Sequence, residues 1–170
     1  MNRTSKINRT KPLQVFLKLR GFVIGSLLVG LVVLGVSPSV AGVEYLEDEL
    51  ECVKLSGQFM RDMVAGKLQE AFDRVSPYFP ISKRNFDNLV DQTEIQLRGT
   101  APNFGTMIGY EFVREERVSE FLVRYTFVIK HELTLTRWIF IYYKPDDRWL
   151  LNSLYWDDQV ESLFPEDDSE

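Results

Sequence analysis

The apolar residues of this chain change their spacing at Thr106. Before it they recur every three or four positions; after it they recur at every second one. The clearest stretch is 120–130. Phe121, Val123, Tyr125, Phe127 and Ile129 fall on one side, and Leu122, Arg124, Thr126, Val128 and Lys130 on the other. Such alternation belongs to an antiparallel sheet with one covered face. Helical patterning that ends before strand patterning begins predicts an α+β fold rather than alternating α/β. The expected strands are 106–114, 120–130, 133–144 and 148–156, with the first turn inside 115–119.

In the helical half, residues 44–65 read as one long helix. Leu46, Leu50, Val53, Gly57, Met60 and Val64 line its buried face, and Cys52, Phe59 and Met63 widen it. Gly66 suits a left-handed helix end. A short helix over 67–75 follows, stopped by Pro77 and Pro80. Ser82 is placed to cap a third helix over 83–98, with Gly99 as its C-cap and 100–105 as a loop.

The two ends differ from this body. Residues 1–41 hold six Lys or Arg and no acid, then the apolar run 22–36, then Ser39-Val40-Ala41. A basic start, a short apolar core and a small-x-small exit predict a secretory signal peptide over 1–41, cleaved after Ala41. The alternative is an uncleaved anchor at 22–36 that tethers the domain to the inner membrane. Export then places the domain, 42–164, in the periplasm or outside the cell. Of 20 basic residues, 14 remain after residue 41 against 25 acidic ones, so the mature net charge is −11. That excludes nucleic acid as an expected partner, since such binding relies on Lys and Arg neutralising phosphates. Residues 165–170 read as a solvated acidic tail. Cys52 is the one cysteine, so no internal disulfide is available, and a single histidine argues against a Cys/His zinc site. No metal and no cofactor is expected.

Residues 137–158 contain all three tryptophans. Pro145, Asp146 and Asp147 read as an exposed turn. With a loop over 145–148, Lys144 pairs with Trp149. Trp138, Phe140 and Tyr142 then share the inner face with Trp149, Leu151, Ser153 and Tyr155. Small Ser153 among large rings predicts a concave pocket for a small apolar ligand, lined by these aromatics and Tyr125. The competing expectation is a filled core. The outer face would carry Ile139, Ile141, Tyr143, Leu150, Leu154 and Trp156. So apolar a face predicts a partner surface, with a homodimer as the first choice and cover by the C-terminal segment as the alternative. Asp158 and Glu161 read as the cap of a short C-terminal helix.

The order of elements carries a resemblance. A long helix, the break Val64-Ala65-Gly66-Lys67, the short helix Leu68-Gln69-Glu70-Ala71-Phe72 and its end Val75-Ser76-Pro77 precede a third helix and a curved antiparallel sheet of about four strands. This resembles the nuclear transport factor two-like superfamily, which includes ketosteroid isomerase and scytalone dehydratase. The stretch from Arg137-Trp138 through Trp149-Leu150 to Asp157-Asp158 resembles its small exported bacterial members. The resemblance implies a cone-shaped, cystatin-like domain with a cavity between helices and sheet. Enzymes of the superfamily place a carboxylate or histidine base with tyrosine or protonated-acid donors in that cavity. No such acid or base can be matched here residue by residue. The sequence therefore favours an exported, non-catalytic binding domain. The alternative is a cofactor-free isomerase or dehydratase using Tyr142, Tyr155 or His131.

Overall fold

The computed structural model describes residues 42–164. The signal-peptide expectation for 1–41, with its anchor alternative at 22–36, and the acidic tail 165–170 lie outside them. Three α-helices precede a four-stranded antiparallel sheet of order β1-β2-β3-β4, so the α+β class is as read from the sequence. None of the described helices is long and apolar enough to cross a membrane.

Helix α1 spans Glu49–Val64, five residues shorter at its start than the pattern suggested. Asp48 accepts a hydrogen bond from the Glu51 N–H (2.9 Å), and the Glu51 carboxylate reaches back to the Glu47 N–H (2.8 Å). These two bonds satisfy N–H groups that a helix start leaves unpaired. Residues before the cap are extended. Leu46 exchanges two backbone hydrogen bonds with Trp149, both 2.8 Å, in an antiparallel bridge. With Leu46 out of the helix, the buried face turns to Cys52, Leu55, Ser56, Phe59, Met60 and Met63, and Leu50 is exposed. Gly66, at φ 75°, ends α1 as expected.

Helix α2, Leu68–Val75, buries Ala71, Phe72 and Val75, then passes into a 3-10 turn, Ser76–Tyr78. Helix α3 runs Lys83–Phe104, capped by Ser82. It extends through Gly99 and Pro102, which the sequence reading had placed beyond its end. The Thr100 hydroxyl donates to the Gln96 and Leu97 carbonyls, and Gly105, at φ 77°, is the C-cap. Gly105 also lies against Glu132: a Cβ there would meet that side chain at 2.8 Å.

Strands β1 (Met107–Val118), β2 (Leu122–His131), β3 (Leu135–Tyr143) and β4 (Leu150–Asp157) pair in sequence order. β1 continues to Val118, so the reversal begins at Ser119, at φ 59°, the last residue of the expected turn segment. Register slips leave Ile108 and Val113 unpaired in β1. The decisive slip is in β4. Tyr142 pairs with Leu151, as predicted from the turn, but Ile141 pairs with Ser153. Asn152 is the extra residue of a bulge. Because side chains alternate with period two, one inserted residue exchanges the faces of everything after it. Leu154 and Trp156 therefore join Phe140 and Trp138 on the inner face, while Ser153 and Tyr155 move to the outer one. The pocket residues Ser153 and Tyr155, and the partner-face residues Leu154 and Trp156, thus lie opposite to their expected sides. Trp156 stacks on Trp138 with ring centroids 5.7 Å apart and planes 14° from parallel.

The core sits between α1, α2, the first half of α3 and this inner face. Leu154 is 6 % exposed and Tyr155 42 %. Leu154→Ala is accordingly expected to lower unfolding free energy in urea by about 2–5 kcal/mol, as buried leucine truncations do. Tyr155→Ala should cost less than about 1 kcal/mol. Equal losses would mean that the bulge at Asn152 is absent.

Candidate functional site

The inner aromatic face is closed by packing. Tyr125, Trp138, Phe140, Tyr142 and Trp149, five of the seven residues expected to line a pocket, are at most 2 % exposed. Phe59 of α1 fills the space in front of the sheet. Its ring lies 5.6 Å from Trp138 and 5.4 Å from Phe140. The polar atoms here are bonded internally. The Ser56 hydroxyl donates to the Cys52 carbonyl (3.0 Å), so the Tyr142 hydroxyl, 2.8 Å away, donates to Ser56 Oγ. Tyr125 donates to the Glu49 carbonyl (3.4 Å). Burial pushes both phenols well above the ordinary tyrosine range. Among the described residues, no buried side-chain polar atom lacks a partner.

His131 is buried, 7 % exposed, rather than on an open turn. It continues the inward series 123, 125, 127, 129, a parity signal that outweighs its place beside the turn. Its Nδ1 lies 3.4 Å from the Gly105 carbonyl, which only accepts, so Nδ1 carries the proton. Nε2 then accepts from the Thr136 hydroxyl (3.2 Å), and Thr136 Oγ1 accepts from Trp138 Nε1 (3.1 Å). The three groups named for an enzyme are not brought together. Tyr142 is bonded to Ser56, Tyr155 is on the opposite face, and His131 belongs to the chain of bonds through Thr136.

Open space lies on the outer face. Its centre is covered by this chain: Thr126, Val128 and Ile139 are buried, and the 3-10 turn Val160–Leu163 folds back against β3. That turn has no Asp158 side-chain cap; Asp157 accepts from the Gln159 N–H instead (3.0 Å). Between the turn and the sheet is a depression of about 580 Å³. Arg114, Arg124 and Arg137, one from each of β1, β2 and β3, line it, with Glu116, Glu161, Ser162 and Phe164. A second depression of about 160 Å³ shares Glu116 and Arg124 with it and adds Val118, Leu122 and Ile141.

The guanidiniums are held in place. Arg124 donates through Nε (2.8 Å) and Nη2 (2.5 Å) to the two oxygens of Glu116, and Arg114 Nε adds a third bond to it (3.1 Å). Arg124, then Arg114, keep the Glu116 carboxyl below its ordinary pKa. Arg114 also donates to the Ser162 (3.1 Å) and Leu163 (3.3 Å) carbonyls, and Arg137 grips Asp157 through Nε (3.0 Å) and Nη2 (2.7 Å). The sequence reading missed this cluster. Its signal is arginine at outward positions of three adjacent strands; Arg124 and Arg137 read outward directly, but Arg114 does so only once the slip at Val113 is known. Among the described residues no group of three or more His, Cys, Asp or Glu is placed to hold a metal.

Comparison with protein-family models, with curated proteins and with solved structures finds no match.

Two outcomes follow from the electrostatics. Cys52 is fully buried, and burial, then Glu49 and Asp48, push its thiol well above the ordinary range. A thiol-exchange reagent at about pH 8 should therefore leave the native protein unmodified and label one thiol per chain in denaturant. Rapid labelling of the folded protein would contradict the packing. Glu116, and Glu49 through Arg117, titrate below their unfolded values. Their pairs contribute fully above the ordinary glutamate pKa, near pH 4.5, and are lost as pH falls through the folded values. Thermal midpoints should drop on acidification below that point, and more shallowly in Glu116→Gln. An identical acid limb in the variant would remove Glu116 from the account.

Proposed function

We propose that this chain is an exported, non-catalytic binding domain whose binding surface is the outer face of its sheet. The carrying observation is the contrast between the two faces. On the inner side the rings are packed and the hydroxyls are bonded to one another or to backbone. On the outer side three guanidiniums line a depression large enough for a small ligand. The reading moves the expected apolar-ligand pocket from the interior to the exterior, and it puts Tyr155 on the same outer face as Arg124.

The likeness to the nuclear transport factor two-like superfamily, with its cone shape, is part of this proposal. Three helices preceding one antiparallel sheet support it. So does the export signal at 1–41, which predicts a periplasmic or extracellular location and a mature chain that starts at Gly42. A homodimer is the second reading. Phe121 and Tyr143 form an exposed ring pair, 6.4 Å apart, at one end of the sheet, beside exposed Val118. Of the expected partner face, Ile141 and Tyr143 remain on the outer side, and Ile139 and Leu150 are there but covered.

A fragment library screened by amide chemical-shift mapping tests the binding face. Shifts are expected at Arg124, Ile141 and Tyr155, with the inner residues Trp138 and Tyr142 unmoved. Saturable shifts confined to the inner residues would overturn the reading.

A further inference from the structure

We infer that the outer-face groove takes an amphiphilic carboxylate, a small molecule with one anionic head and an aliphatic arm. The inference rests on the preceding reading that this face is the binding surface.

The argument for two chemically different parts comes from the two adjoining depressions. The larger is walled by Arg114, Arg124 and Arg137 and is mostly polar. The smaller is walled by Val118, Leu122 and Ile141. Arg124 and Glu116 line both, so a head and an arm meet at Arg124.

The argument for an anion comes from the donors that remain. Arg124 uses Nε and Nη2 on Glu116, and Arg137 uses Nε and Nη2 on Asp157. The Nη1 of Arg137 has a long bond, 3.5 Å, to the Ser162 carbonyl. Each guanidinium carries five N–H donors in a rigid fork, so both retain N–H groups for an acceptor, and carboxylate matches that fork. Their own acidic partners fix the planes in advance, which limits the ordering cost of binding. Against Glu116 and Glu161 the three arginines leave the groove lining at +1, and Asp157 on Arg137 offsets that charge, so the preference for an anion rests on the remaining N–H donors.

The argument for a carboxylate with an arm over inorganic phosphate comes from the adjoining depression. Phosphate can meet the arginines but leaves the apolar wall of Val118, Leu122 and Ile141 unfilled.

Isothermal titration of the purified protein with octanoate, octan-1-ol and inorganic phosphate tests this. Octanoate should bind saturably with one site per chain. Loss of a charged hydrogen-bonding partner predicts at least about tenfold weaker binding of octan-1-ol, and of octanoate to Arg124→Gln. Phosphate should also bind more weakly than octanoate. Val118→Asp, at a position 61 % exposed, should weaken octanoate while circular dichroism and the thermal midpoint stay unchanged. Absent octanoate binding, equal affinity for the alcohol or for phosphate, or indifference to both substitutions would each overturn the inference. If fragments still map to the outer face when octanoate does not bind, the binding-face reading stands and only the ligand class fails.

Discussion

The fold turns on the ring of Phe59. It lies 5.1 Å from Phe72 of α2, 5.6 Å from Trp138 and 5.4 Å from Phe140 of β3, tilted or edge-on to each. All four side chains are at most 1 % exposed. Aromatic pairs at such separations contribute about 0.5–1.5 kcal/mol each beyond their buried area. One side chain thus joins both leading helices to the centre of the sheet. With a single cysteine and no disulfide, apolar packing of this kind is what holds the described domain together.

The same packing decides where binding can occur. A helix seated on the sheet through Phe59 leaves the inner face full. The bulge at Asn152 completes the closure by turning Trp156 inward onto Trp138 and sending Ser153, the smallest residue of the strand, out. The outer face then carries the arginines, and the returning turn Val160–Leu163 converts part of it into a groove. Arg114 and Arg137 hold that turn through its carbonyls, so the residues that line the groove also build its wall.

Much of the architecture was legible. The change of period at Thr106 separates helices from strands, the alternation over 120–130 assigns both faces of β2, and Pro145 with its aspartates sets the register beside the last turn. Ser82 and Gly66 mark helix ends by their own chemistry. What escaped were events that insert or remove one residue. Nothing local to Leu-Leu-Asn-Ser-Leu announces a bulge, yet it exchanges the faces of Ser153, Leu154, Tyr155 and Trp156. The start of α1 escaped because Leu46 fits the helical pattern and is claimed by a tertiary bridge to Trp149. Gly99 looked like a helix end, but α3 continues to Gly105, where close approach to Glu132 excludes a side chain. The arginine groove was illegible for a related reason: its members are 10 to 23 residues apart in sequence and meet only through strand register.

Strand β1 is one edge of the sheet; β4 is the other, with Leu46 bridged to Trp149, the residue just before it. An edge of twelve residues bearing exposed Ile108, Phe112, Val113 and Val118 invites a strand from another molecule. Two devices oppose that. Ile108 and Val113 interrupt its hydrogen-bonding rhythm, and Glu111, Arg114, Glu115, Glu116 and Arg117 place five charges along seven positions. Those charges are themselves committed, Arg117 to Glu49 and Glu115, Glu111 to Lys130, and Arg114 to Glu116. Neutralising them would expose an unguarded template, so the ion pairs of β1 protect solubility as well as shape.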